Sequence, residues 1–165
     1  MKSSELRNVF LLVVFCLITF FANRAALPTD IMESRNIITA REMVSDGNWL
    51  VPTMNGELRL EKPPFPTWVA GGIEELFPGS LSAQRFAAGV MACIWVLYLY
   101  LFVRRASRRD DLALVTVIVF TTCYNMILMG RSATWDIYCH AFMMGAIYYL
   151  TLGFTESRHC WRNFL

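Results

Sequence analysis

An all-α integral membrane fold with about four spanning helices is what this chain predicts, and three observations predict it. Of its 165 residues, 56% are hydrophobic and only 17% charged, where ordinary soluble domains carry about 25% charge. Mean hydropathy is correspondingly high, at +0.42. The apolar residues are clumped into four runs that contain almost no charge, and the basic residues gather in the short links between them.

The runs set the spans at approximately 9–23, 86–103, 112–129 and 137–154. A spanning helix needs about 20 apolar residues, and the last three runs approach that length. The first, "VFLLVVFCLITFFA", is shorter and follows Lys2 and Arg7, so a cleaved signal peptide competes with an uncleaved anchor. Arg24 stands where a cleavage pattern wants a small residue, which favours the anchor. The link 104–111, "RRASRRDD", holds four arginines, and Arg158 and Arg162 follow the fourth run. With four spans these and the N-terminus share one side, which lysine and arginine bias makes cytoplasmic. The net charge of +2 leaves no basic face for nucleic acid. Cys16, Cys93, Cys123 and Cys139 lie within apolar runs and Cys160 in the tail. They read as small hydrophobes, without metal-ligand spacing.

Residues 24–85 then form a long extracytoplasmic loop. Ile37, Ala40 and Val44 recur on one face of a helix expected from Glu33 to Asp46, with Gly47 as its stop. Glu33 is a misfit, since it falls on that apolar face. A second amphipathic helix is expected from Pro64, a residue suited to a first helical turn, to Pro78. Both would lie along the membrane interface, where Trp49, Trp68 and Phe77 would settle.

The polar residues without an obvious purpose are on this side. Asp30, Glu33, Glu61 and Asp136 each have an ordinary structural role available. Asp30 with Glu33 makes an acidic helix cap, Asp136 meets the positive end of the last helix, and Glu61–Lys62 is a solvated pair. Alternatively the acids converge at the mouth of the bundle. Ionisable groups near lipid are functional candidates, and an adjacent lysine can hold a phosphate.

The order of these elements resembles a known family. "IMESRNIITAREMVSDGNWLVPTMNGELRLEKPPFPTW", then "RFAAGV" and "GRSATWD", are similar to the N-terminal part of the GT-C glycosyltransferases that use polyprenyl-phosphate sugars. The likeness is to the bacterial aminoarabinose transferase and dolichyl-phosphate-mannose protein mannosyltransferase-like group. It implies transfer of a sugar from a polyprenyl-phosphate donor to an extracytoplasmic lipid, protein or polysaccharide, in a bacterial inner membrane. The family's acidic pair falls on Met32 and Glu33, so either Glu33 acts alone or Asp30 substitutes. Glu61, Lys62, Pro63 and Pro64 meet its "EKPP", Arg35 meets the arginine after the acidic pair, and Asp136 meets its late acid. The resemblance implies catalytic roles for Glu33, Asp30, Glu61 and Asp136. It makes Lys62, Arg35 and Arg59 the donor-binding cations and, in some members, sets a divalent metal ion near Glu61. Family chains are several times longer, so these residues are expected to be the N-terminal part of such a domain, inactive alone. The rival class is a non-enzymatic membrane module, a transporter half or an assembly subunit, in which the acids and arginines are structural pairs.

Overall fold

The computed structural model describes residues 3–155. Its first helix, α1 (Ser3–Cys16), continues through a π-helical turn at Leu17–Phe21. Then come α2 (Ile31–Ser45), a two-stranded hairpin of β1 (Thr53–Met54) and β2 (Glu57–Leu58), α3 (Pro64–Leu76), α4 (Leu81–Ser107), α5 (Asp110–Thr122), α6 (Tyr124–Arg131) and α7 (Asp136–Thr155). The segments Arg7–Ala26, Leu81–Ser107 and Asp136–Thr155 are each long and apolar enough to cross a membrane. The tail arginines at 158 and 162 lie outside the described residues.

The third expected span, 112–129, is broken. Its two halves, α5 and α6, meet at 72° around Cys123, whose backbone is extended. The "TTC" run makes the break tolerable in apolar surroundings. The Thr122 hydroxyl donates to Val119 O at 2.8 Å, satisfying a carbonyl that the helix end leaves open, and the Thr121 hydroxyl turns its own polar group inward onto Val117 O at 2.7 Å. Apolar content carries no signal for such a bend, which is why the sequence reads as one span. The pair still traverses the bundle. At its start Arg104 Nε donates to Asp110 Oδ1 at 2.6 Å, and just past its end Ala133 N donates to Glu33 Oε1 at 2.8 Å. These contacts sit at opposite ends of α4, the arginine end and the loop end of the molecule.

Helix α4 is central, packed against α5, α6 and α7. Lipid tails are as apolar as leucine, so close approach rather than burial from water holds spanning helices together. Small residues supply it here: Ala88 and Ala92 of α4, Ala113 of α5 and Ala141 of α7 are fully buried. Gly130 admits the ring of Phe20, since a Cβ there would stand 2.4 Å from Phe20 Cδ1. Just beyond, Arg131 Nε donates to Thr19 O at 2.6 Å, capping carbonyls at the end of the first crossing.

At the loop end, α2 and α3 pack on each other beside the bundle. Helix α2 starts at Ile31, two residues before the expected start. Asp30 is its N-cap, accepting from Glu33 N at 2.7 Å. Helix α3 begins at Pro64 and ends at Leu76.

Candidate active site at the loop end of the bundle

Glu33, the misfit on the apolar face of α2, is completely buried, and so is Arg85 in the second turn of α4. Arg85 Nε and Nη2 reach Glu33 Oε1 and Oε2, each at 2.7 Å. The guanidinium also donates to Arg24 O at 2.6 Å and Leu27 O at 2.9 Å, and Glu33 Oε1 accepts from Ala133 N. One ion pair therefore ties together the exit of α1, the start of α2, α4 and the segment before α7. A planar five-donor group suits this, because bidentate pairing satisfies a buried carboxylate and leaves donors for backbone carbonyls. Both Glu33 oxygens are engaged. Arg85 was not among the expected site residues. The signal was available: an arginine opening an apolar run and a glutamate on an apolar helix face are each costly to bury alone and compensated when paired.

The second feature grows from a turn. Asn55 and Gly56 both have positive φ, 57° and 77°, as a two-residue type I′ hairpin turn requires. The Glu42 carboxylate of α2 grips its tip, accepting from Thr53 Oγ1 at 2.8 Å and from Asn55 N and Gly56 N. These bonds, that from Thr53 foremost, hold its pKa below the ordinary glutamate value. The hairpin sends Arg59 inward, its N–H donating to Pro52 O at 2.9 Å. The Arg59 side chain, 6% exposed, donates to Arg35 O at 2.7 Å and Thr39 Oγ1 at 2.8 Å. Burial pulls its pKa below the usual arginine value, against the charge of Glu61 and with that of Arg35. Arginine remains charged regardless.

Trp135 organises the rest. The Arg59 guanidinium carbon lies 4.4 Å from the centroid of its ring and Lys62 Nζ 5.9 Å. Two cations thus share one indole, an arrangement favoured electrostatically at these distances. Trp135 Nε1 donates to Thr67 Oγ1 of α3 at 3.2 Å. The next residue, Asp136, opens α7 with its side chain exposed. Glu61 and Lys62 are exposed, and a cleft is lined by Arg35, Glu57, Arg59 and Glu61. Beside Lys62, Phe65 meets Tyr138 and Phe142 of α7 edge-on, at centroid distances of 6.2 and 5.4 Å. Asp30, Glu33, Arg35, Glu61, Lys62 and Arg59 all lie in the loop-end layer, joined to the segment carrying Asp136 by Ala133 and Trp135. Trp135 was quoted in the sequence motif without a role, and its position between two cations is not encoded by spacing. Among the described residues, no three His, Cys, Asp or Glu side chains are grouped to hold a metal. A divalent ion at Glu61 would need ligands from elsewhere.

Residues 61–165, well over half the chain, match the family described as dolichyl-phosphate-mannose-protein mannosyltransferase. The chain belongs to that family. Among curated proteins, this mannosyltransferase-family chain is similar to undecaprenyl phosphate-alpha-4-amino-4-deoxy-L-arabinose arabinosyl transferase 2 of Proteus mirabilis, 26% identical over 82% of the chain and 24% of that protein. The transferase of the same name without the number from Shewanella sediminis is 30% identical over 78% of the chain and 24% of its own length. That from Serratia proteamaculans is 26% identical over 91% and 27%. The chain thus spans about a quarter of the length of these relatives. No solved structure matches it significantly.

Proposed function

We propose that this chain contributes the donor-phosphate side of a membrane glycosyltransferase, which moves a sugar from a polyprenyl-phosphate carrier to an acceptor outside the cytoplasm. The observation that carries the reading is the pair of cations on Trp135, with Glu61 and Asp136 adjacent in sequence to Lys62 and the indole. A polyprenyl phosphate keeps its tail in lipid and its sugar-phosphate at the boundary. Its recognition takes a cation at that depth, and of the two on Trp135 Lys62 is the exposed one. Pro63, Pro64 and Pro66 stiffen the chain after it.

In the proposed reaction a carboxylate takes the proton of the acceptor hydroxyl, and the acceptor oxygen forms its bond to the anomeric carbon. The bond from that carbon to the phosphate oxygen breaks, its electron pair staying on the polyprenyl phosphate. Lys62, Arg59 and Arg35 stabilise the charge that develops there. Among the four acids, the exposed carboxylates of Asp136 and Glu61 suit proton transfer. Glu33, saturated by Arg85 and Ala133, and Asp30, spent on the helix cap, suit positioning. The relatives are named for an undecaprenyl-phosphate donor carrying 4-amino-4-deoxy-L-arabinose, so that donor is the first to try. Membranes from cells carrying the gene should transfer label from it, or from another sugar of a polyprenyl-phosphate panel, and membranes from the Lys62→Ala strain should need more donor to reach the same rate. Unchanged surface glycans on loss of the gene would instead favour a non-enzymatic membrane module.

A further inference from the structure

At the arginine end, away from the candidate active site, an apolar groove of about 310 Å³ runs between α1 and α4, its walls including Val13, Cys16, Cys93, Leu97, Tyr100 and Arg104. It is open along one side, where Val13 and Leu97 are roughly half exposed. Arg104 is the only charged residue in its lining among the described residues.

Length and charge both indicate what fills it. From Cys93 to Arg104 is eleven residues of α4, about 16 Å at 1.5 Å per residue. That is about half of a ~30 Å hydrocarbon core, the depth of one leaflet. The groove therefore runs from mid-membrane to the surface and ends at a cation. Residues 104–111 carry four arginines against two aspartates, a local excess of two positive charges. Arg104, held at the mouth by Asp110 at 2.6 Å, begins this cluster. Basic sites between spanning helices on one membrane face recognise anionic headgroups.

We propose that the groove binds one acyl chain of an anionic diacyl phospholipid, whose headgroup phosphate rests on the 104–109 arginines. A zwitterionic lipid of equal chain length fits the apolar walls and gains less at the mouth. The site is separate from donor binding and stands whether or not the transfer reaction does.

The test is native mass spectrometry of the full chain in mild detergent, titrated with dioleoyl phosphatidylglycerol and dioleoyl phosphatidylcholine. A retained phosphatidylglycerol adduct is expected, favoured about tenfold. The Arg104→Gln/Arg108→Gln variant should bring it down to the phosphatidylcholine level. Leu97→Trp and, from the other wall, Val13→Phe should each remove it while helical content by circular dichroism stays unchanged. Lys62→Ala should leave it intact. Equal retention of the two lipids would overturn the proposal, as would an adduct that survives both groove-filling variants. Displacement of phosphatidylglycerol by undecaprenyl phosphate at equal concentration would also overturn it, by making the groove a second donor site.

Discussion

Asp30 and Glu33 stand three residues apart and are engaged in different ways. Asp30 accepts one backbone N–H at the start of α2, a contact whose loss costs about 1 kcal/mol. Glu33 holds a buried arginine, and removing one partner of such a pair costs about 3–5 kcal/mol. Glu33→Gln is therefore expected to lower the melting temperature and abundance of the protein sharply. Arg85→Lys should fail to rescue the loss seen in Arg85→Ala, because a point charge cannot reproduce two parallel bonds and the carbonyl contacts. Thermal unfolding in detergent measures both. A Glu33→Gln protein of normal stability with no transfer would restore Glu33 as the base. Asp136→Asn and Lys62→Ala should do the reverse of these. Both residues are exposed, so abundance should hold. The turnover of Asp136→Asn is expected to fall by about 10²–10⁴-fold, while Lys62→Ala should raise the KM for donor. A vesicle transfer assay against immunoblot signal separates the two behaviours. At this scale the sequence was legible only in part: Glu33 stood out as a misfit on an apolar face, without its buried partner being expected. Which arginine answered it was not legible, because Arg85 lies 52 residues away and only the packing of α2 on the bundle brings it near.

Elements were legible where local chemistry dominates. The proline start of α3 and the cap of α2 are written in neighbouring residues and were expected, whereas the hairpin was not expected, although Asn55–Gly56 is a local turn signal. The π-helical turn that ends the first crossing is not legible locally, since its carbonyls are met by Arg131 from 112 residues away, and the break in the third span leaves no mark in apolar content. Two element-scale outcomes follow from the contacts. Gly130→Ala would force a methyl group to 2.4 Å from the Phe20 ring, and overpacking of this kind typically costs about 1–3 kcal/mol. The change should destabilise the protein in thermal unfolding, and Phe20→Leu in the same chain should relieve part of the loss. Glu42 gives a pH dependence. Its pKa is lower in the fold than the ordinary 4.5, so the unfolded chain takes up the proton first as pH falls. The stabilisation is complete above about 4.5 and disappears as pH drops through the lower folded value. The protection of the Asn55 and Gly56 amides, taken against the intrinsic exchange rate at each pH, should fall across that acid window in the wild type and stay low at all pH values in Glu42→Gln. Exchange indifferent to both changes would mean the carboxylate does not hold the hairpin.

For the whole molecule, the number of crossings rests on the bent pair, because the other three candidate spans are unbroken. Helices α5 and α6 have 13 and 8 residues, about 20 and 12 Å long. Joined at 72° they reach about 26 Å end to end, close to a ~30 Å core. Between Arg85 and Arg104, α4 covers 19 residues, about 28 Å, so the two routes between the ends are matched in length. A re-entrant α5–α6 would return to the side it left, yet Ala133 bonds to Glu33 at the loop end while Asp110 pairs with Arg104 at the other. Four crossings, with the start of α1 and the end of α7 on the arginine side, is therefore the proposed topology, and the arginine bias predicts that this side is cytoplasmic. Single cysteines at positions 57, 108 and 134, in a background lacking the native thiols, test it with a membrane-impermeant maleimide on intact spheroplasts. Positions 57 and 134 should label together, and position 108 only after permeabilisation. Labelling of 134 with 108 would make α5–α6 re-entrant and separate Asp136 from Lys62. The proposed active site requires that pair on one face, so the same experiment would remove it.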